Sequence, residues 1–466
     1  MRQLKYKPQL LVLAGILVCF SCNKNGWYDA KSDKSLQVPS TLRDFQALMD
    51  YHELFVSATP SLGECGSDGH TVSSSIYNSM TQASKDVYTW SHQQPYTQVI
   101  EWSSSVNRGA FPKIFYCNIV LEGLSKSQPA NAAEQQQWND IKGQALFYRA
   151  KSFSELAEVF AAPYNKTSSD RDLGLPLRLE SDPSMPSIRS TVKQTYEQIV
   201  ADLLQAKDLL PANNLPTTTL LKCRPTVTAA LALLARVSLS MEEYEKALQY
   251  ADAALNRYAV LLDYNQVPVN IPSLNGEVIL HSTMSSQFHP TRVENILIDT
   301  NWYNNCNDND LRKSLSFNRN TGTGLVNYRG GFGGAKALFS GLSVGELYLI
   351  RAECYARANN IHAALQDLNT LLEKRWKNTI PYIPVEAADA FSALQIIIEE
   401  RKKELILRGL RWSDLRRLNR DDRFKQTLIR STPAGDFTLE PGSYRYTYPI
   451  PDDIIQISGM QQNSGW

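Results

Sequence analysis

The stretch PTVTAALALLARVSLSMEEYEKALQYADAALNRY, residues 225–258, restricts the fold more than any other part of the chain. Its apolar residues recur at helical spacing in two runs with a tight join. A shift of 117 positions lays it over a second stretch: Ala235 meets Ala352, Tyr244 meets Ile361, Ala247 meets Ala364, Leu248 meets Leu365 and Leu255 meets Leu372. Small residues recur where two helices cross closely, and large ones where they fill the groove between. Such a hairpin cannot bury its apolar face alone and stacks on neighbours, as tetratricopeptide-like units do. The expected fold is mainly α, a tetratricopeptide-like stack of helix pairs.

Other helical patterns extend the stack. FPKIFYCNIVLEGL precedes a long run from about Glu134 to Phe160, and TVKQTYEQIVADLLQAKDLL follows a Pro-rich connection over residues 162–186. A further helix is expected over 399–417. Near the front, VPSTLRDFQALMD places Leu42, Phe45, Leu48 and Met49 on one face, with Ser40 or Thr41 able to cap. The helical repeats thus cover about 105–260 and 343–420. Residues 61–104, 262–342 and 426–466 lose the period and carry turn signals such as SLNG, NNCNDND and YRGGFGG. They are expected to form an irregular, loop-rich lobe with a few short strands.

The amino-terminal residues speak to location. Arg2, Lys5 and Lys7 precede an apolar run, roughly Leu10 to Phe20, that is shorter than the ~20 residues a membrane span needs. Basic start, short apolar core and small Ser21 make residues 1–21 a secretory signal. Cys22 directly after it can carry lipid chains, which would anchor the mature chain to a membrane; the alternative is an ordinary signal cut nearby. Without residues 1–21 the chain holds 45 basic against 47 acidic residues. That balance gives no global pull toward nucleic acid. The cysteines after Cys22 (Cys65, Cys117, Cys223, Cys306 and Cys354) are odd in number and scattered, and the six histidines show no HxH or HExxH spacing. No metal site or cofactor is expected.

Several motifs offer chemistry that their surroundings do not support. GLSVG, residues 341–345, matches a serine-hydrolase turn, but FSGL is not a convincing strand. Ser343 and Glu346 are instead expected to form a capping box at a helix start. Arg401 interrupts an apolar stripe and should be paired, by Glu404 or by Asp414 after the turn, or stack on Trp412. The cluster Arg411, Arg416, Arg417 and Arg420 lies beside Glu404, Asp414, Asp421 and Asp422, which points to a structural role. Asp308 and Asp310 could serve a glycosidase, yet nothing in their spacing shows the facing geometry required. Trp102, Trp138, Trp376, Trp412 and Trp466 read as packing residues.

Five segments in order resemble the SusD/RagB family of Bacteroidetes outer-membrane nutrient-binding lipoproteins: LQVPSTLRDFQALMD, NDNDLRKSLSF, FSGLSVGELYLIRAECYARANN, EERKKELILRGLRWSDLRRL and YPIPDDIIQISGMQQNSGW. Ser464 stands where that family usually has Pro, and Arg408 where it often has Glu. The resemblance implies four tetratricopeptide-like helix pairs against an irregular lobe. It implies binding rather than turnover, and a lipid-anchored protein of the outer membrane, exposed at the surface. The implied partner is a SusC-like TonB-dependent transporter that receives a captured glycan or other nutrient. A sugar presents C–H faces to flat rings and hydroxyls to amides and carboxylates, so loop aromatics beside Asn or Asp are the candidate contacts. Two clusters qualify: Tyr88, Trp90 and Tyr96, and Trp302 and Tyr303 with Asn304, Asn305 and Asn307. A periplasmic scaffold that binds only protein partners is the competing reading, and a hydrolase the third.

Overall fold

The computed structural model describes residues 39–103, 108–212, 221–334 and 336–466. The signal segment 1–21 and Cys22 lie outside the described residues. Helix α1 (Leu42–Met49) buries Phe45 and Met49. Then come α2 (Ala110–Ser125), α3 (Ala132–Phe160), α4 (Val192–Leu209), α5 (Val227–Ser240), α6 (Tyr244–Leu255), α7 (Val344–Arg357), α8 (Ile361–Glu373), α9 (Ala390–Glu404) and α10 (Arg411–Leu418). From α2 to α8 each helix packs on the next, and α9 returns against α7. Short-range signals start several of them. The Asn131 side chain accepts the Glu134 N–H ahead of α3, and Thr191 with Gln194 forms a complete capping box on α4.

The 117-residue repeat is a repeat of backbone as well as of side chains. α5 and α7 are the same length and start 117 positions apart, as do α6 and α8. Ala235, Ala247, Ala352 and Ala364 are fully buried. The turns match too, with Glu242 at φ 59° and Asn359 at φ 60°. Both are left-handed residues that are not glycine, a conformation that costs energy for any residue with a Cβ. Asn359→Gly is therefore expected to stabilise the protein by about 0.5 kcal/mol, read as a shift of the urea midpoint.

Among the described residues nine short strands supplement the helices: β1 (Leu173–Pro176), β2 (Arg189–Thr191), β3 (Val278–Leu280), β4 (Leu297–Ile298), β5 (Phe317–Arg319), β6 (Val326–Tyr328), β7 (Leu342–Ser343), β8 (Leu428–Thr432) and β9 (Gly435–Leu439). They pair antiparallel as β1–β2, β3–β7, β4–β6–β5 and β8–β9. Among the described residues no helix is long and apolar enough to cross a membrane.

Three expectations need correction. Residues 61–104 contain short helices, Leu62–Gly66, Ser74–Ser79 and Gln82–Tyr88. Ser73 and Thr81 cap the last two, in runs too short to show a period. The helix expected over 399–417 is two helices. The chain turns between them through Leu407 at φ 58° and Gly409 at φ 74°. The Ser343–Glu346 capping box does not form. Ser343 occupies the N-cap position of α7, but its hydroxyl accepts from Arg408 Nη1 (3.1 Å), and Glu346 is held bidentately by Arg236 (2.7 Å each). The cap comes from the preceding lobe, where the Glu277 carbonyl accepts the Val344 N–H and its carboxylate accepts the Gly345 N–H.

The charged motifs are structural, as expected. Arg401 donates to both oxygens of Asp414 (3.1 and 2.9 Å), while Glu404 serves other partners. Arg417 binds Glu353 and Asp414, Arg411 binds Asp68, and Arg416 donates to the carbonyls of Ala157, Glu158 and Ala161. Asp310 caps the helix Leu311–Ser316 and grips Arg312. The buried hub is Glu404, whose carboxylate receives Arg375 (2.9 Å) and Arg312 (3.3 Å), with Arg408 at 3.6 Å.

Candidate functional site

Tyr88, Trp90 and Trp302 meet around one cleft of about 630 Å³, a volume in the range of small-molecule sites. Its first wall is the segment after the helix Leu62–Gly66. Asp68 is the anchor there. It accepts from Arg411 Nε (2.6 Å) and Nη2 (2.9 Å), from Lys402 (2.8 Å) and from Gln426 (3.0 Å). Against the penalty of burial, the Arg411 and Lys402 charges hold the Asp68 carboxyl well below the usual carboxylate range. The same wall continues to Thr71, which exchanges two backbone hydrogen bonds with Leu297 (2.8 and 2.9 Å). That bridge ties the early segment to β4 and the inserted lobe.

The bridge brings Trp302 to the cleft. Asp299 caps the helix Thr300–Asn305 by accepting the Trp302 N–H (2.7 Å). The Trp302 ring packs edge-on against Phe317 at 5.6 Å and remains half-buried on the cleft wall. Across from it, β8 contributes Ile429, which is 69% exposed, and Arg430.

Tyr88 and Trp90 form the floor. Trp90 is buried, with a left-handed backbone (φ 55°) held by its indole N–H on the Gly66 carbonyl (2.9 Å). The Arg430 guanidinium lies 3.8 Å from the Tyr88 ring centre and 5.1 Å from that of Trp90. It also donates to the Cys65 and Ser67 carbonyls (2.8 and 2.5 Å). This clamp covers ring surface that the sequence reading treats as open, so Tyr88 and Trp90 shape the floor rather than offer a free stacking face. His70 also lines the cleft; it is buried and neither ring nitrogen has a hydrogen-bond partner. Burial, aided by the Arg430 charge, pushes its pKa to about 3, so the imidazole is neutral.

Of the eight sequence candidates, Tyr88, Trp90 and Trp302 therefore line one cleft, and Asn304 and Asn307 do not. Tyr96 is buried outside it, with its hydroxyl on the Ser91 carbonyl (2.7 Å) and its N–H on Asp452 (2.6 Å). Tyr303 packs on Phe317 beneath Lys313, and Asn305 is exposed; neither lines the cleft. Of the polar residues that complete the cleft, Lys402 and Arg411 lie in the segment EERKKELILRGLRWSDLRRL, whose basic cluster reads as structural, and Asp68, His70, Gln426 and Arg430 carry no motif. Only Asp68–Gly69, a turn signal, hinted at a loop there. Among the described residues no group of three or more His, Cys, Asp or Glu could hold a metal ion.

An apolar edge at Trp302 and Ile429, facing a belt of amide, carboxylate and guanidinium groups, suits a ligand with C–H faces and many hydroxyls. Comparisons with known proteins point the same way. The family profile described as "Starch-binding associating with outer membrane" matches residues 26–239, and that described as "SusD family" matches residues 304–466. Solved structures share the fold. A SusD superfamily protein from Bacteroides thetaiotaomicron superposes with a TM-score of 0.69 at 22% identity, over 91% of this chain and 99% of that one. Another SusD superfamily protein, from Bacteroides vulgatus, gives 0.69 at 19%, over 91% and 99%. A SusD-like carbohydrate binding protein from Bacteroides vulgatus gives 0.64 at 18%, over 90% and 97%. No curated protein matches the chain. The two profiles, which together span most of the sequence, make this chain a member of the SusD/RagB family, and the solved structures share its fold.

Proposed function

We propose that the protein captures a glycan in the cleft between Asp68 and Trp302 and passes it to a SusC-like TonB-dependent transporter of the outer membrane. The observation that carries this reading is the cleft itself, where an accessible tryptophan from the inserted lobe faces a fixed belt of polar side chains. The family supports it, being one of non-catalytic carbohydrate binders associated with the outer membrane. Cys22 is the proposed lipid attachment point, and palmitate labelling of the chain in cells is expected to vanish in Cys22→Ser.

Calorimetry of the protein from Asn23 onward against a glycan panel tests the cleft. Trp302→Ala is expected to weaken the best ligand at least ~10-fold, about 1.4 kcal/mol, without loss of stability, since the ring is half-buried. Binding that survives Trp302→Ala unchanged would move the site elsewhere. Silence across the panel would favour a protein-binding scaffold.

A further inference from the structure

Strand β8 borders the cleft and pairs with β9 alone. Residues from Gln426 to Ser431 line the cleft without a break. At ~3.4 Å per residue they make a backbone rail of roughly 17 Å.

The pairing shows which backbone groups face the open side of the rail. The hairpin turns through Pro433 and Ala434, and Thr432 opposite Gly435 closes it. A two-residue turn closes on a hydrogen-bonded pair. Such pairs recur at every second residue of an antiparallel ladder. Arg430 with Phe437 and Leu428 with Leu439 are therefore the next bonded pairs. Ile429 and Ser431, between them, point their N–H and C=O groups away from β9. Among the described residues none of these four groups has a hydrogen-bond partner.

Proteins usually guard an open edge with a charge, a proline or a covering segment. β4, whose Ile298 lines the same cleft, has its edge covered by the Thr71 bridge. β8 has no such guard at its free positions, which carry an isoleucine and a serine, both exposed. The free groups also repeat. Residues 429 and 431 stand ~6.8 Å apart, two steps of extended chain. A second extended polypeptide carries one donor and one acceptor on each residue at the same interval, so it meets both pairs at once.

We infer that the open edge of β8 docks an extended polypeptide as an added strand, so that the ligand of this cleft is a glycopeptide, with its peptide on Ile429 and Ser431 and its sugar on Trp302 across the cleft. Main-chain hydrogen bonds of this kind supply affinity with little demand on peptide sequence. The sugar half rests on the glycan reading of the cleft; the strand half does not.

Calorimetry of the protein from Asn23 onward tests this with four probes. They are a short peptide of alternating Thr and Val, the same peptide bearing galactosyl-N-acetylgalactosamine on its central Thr, that glycopeptide N-methylated throughout, and the disaccharide alone. Three variants accompany them. Ser431→Pro removes an outward N–H and leaves the bonded pairs with β9 in place. Ser431→Ala keeps that N–H, and Trp302→Ala removes the ring. The glycopeptide is expected to bind at least ~10-fold more tightly than the disaccharide. Ser431→Pro should remove that advantage. So should N-methylation, which alters the ligand and leaves the fold untouched. Ser431→Ala should retain it. The inference falls if glycopeptide and disaccharide bind equally, if neither glycopeptide nor peptide binds, or if the advantage survives N-methylation. Disaccharide bound through Trp302 with no gain from the peptide would overturn this inference alone. Peptide bound as tightly as glycopeptide, with Trp302→Ala silent and Ser431→Pro disruptive, would overturn the glycan reading and leave the docking strand standing.

Discussion

Glu404→Gln will lower the stability of the fold by about 3–5 kcal/mol, the usual cost of removing one partner from a buried ion pair. Glu404 is fully buried and faces three guanidinium groups. Against the penalty of burial, the charges of Arg375, Arg408 and Arg312 hold its pKa at about 2. The three arginines do not suffer equally when it is neutralised. Arg375 retains Glu277 (2.9 Å), and Arg312 retains Asp310 (2.6 Å) and Glu400 (2.7 Å). Arg408 keeps the Ser343 hydroxyl and the faces of Phe332 and Phe339, 4.0 and 6.0 Å from its guanidinium, and no other carboxylate among the described residues. Arg408→Met in the Glu404→Gln background is thus expected to recover part of the loss. Urea unfolding of the two single variants and the double variant measures the coupling. A Glu404→Gln midpoint equal to that of the parent would remove the hub from the account of stability.

The buried carboxyls fall into two groups whose contributions to stability run oppositely with pH. The buried His70 imidazole, held at about 3 against an ordinary 6.5, opposes the second group by losing stability as pH falls below 6.5. On the acid side, burial opposes and the arginines overcome. Glu353 sits at about 2 under the influence of Arg417 and Arg357, and Glu404 lies at about 2 as well. Both are depressed from an ordinary 4.5, so the unfolded chain binds protons first. Their stabilisation, about 3 kcal/mol each, is complete above pH 4.5 and is lost as pH falls toward 2. On the other side, burial raises Glu64 and Glu101 to about 7. Here the folded chain holds the proton first, so the contribution of these two carboxyls rises as pH drops from about 7 to 4.5, by a similar amount per group. Urea midpoints of the parent and of Glu101→Gln, measured from about pH 3 to 8, separate the carboxyl contribution from that of His70. Glu101→Gln should flatten the upper limb, because its carboxyl is protonated there and meets only Ser61 and Leu62 as donors. A difference between the parent and Glu101→Gln that stays constant between about pH 5 and 8 would show the Glu101 carboxyl to be ionised in the fold.

The helical stack was legible because its signals are local. The 117-residue shift compares residues a few turns apart within each hairpin, and α7 and α8 start that distance after α5 and α6. Asp414 as the partner of Arg401 was legible for the same reason, being thirteen residues away. The cap on α7 was not, because Glu277 arrives from another part of the chain and no pattern connects it to Val344. The cleft shows the same division. Trp302 and Trp90 stood out as aromatics outside the helices, but their meeting depends on the Thr71–Leu297 bridge across more than two hundred residues. Arg430 over Tyr88, and Asp68 between Lys402 and Arg411, are products of that long-range assembly. A residue's ring can be read from sequence; the guanidinium that covers it cannot.

The hairpins α5–α6 and α7–α8 are neighbours in space, although the lobe carrying Trp302 is threaded between them. The chain leaves the stack after Leu255 and re-enters at Val344, where α7 lies against α6. An excursion between two fixed, adjacent points pays a closure entropy that grows only logarithmically with its length, about 0.6 kcal/mol for each doubling. The lobe is therefore a cassette, and lineages could lengthen, shorten or exchange it to change diet while the stack kept its shape. One obligation travels with it: the replacement must return a carboxylate to the place of Glu277, between Arg375 and the first turn of α7.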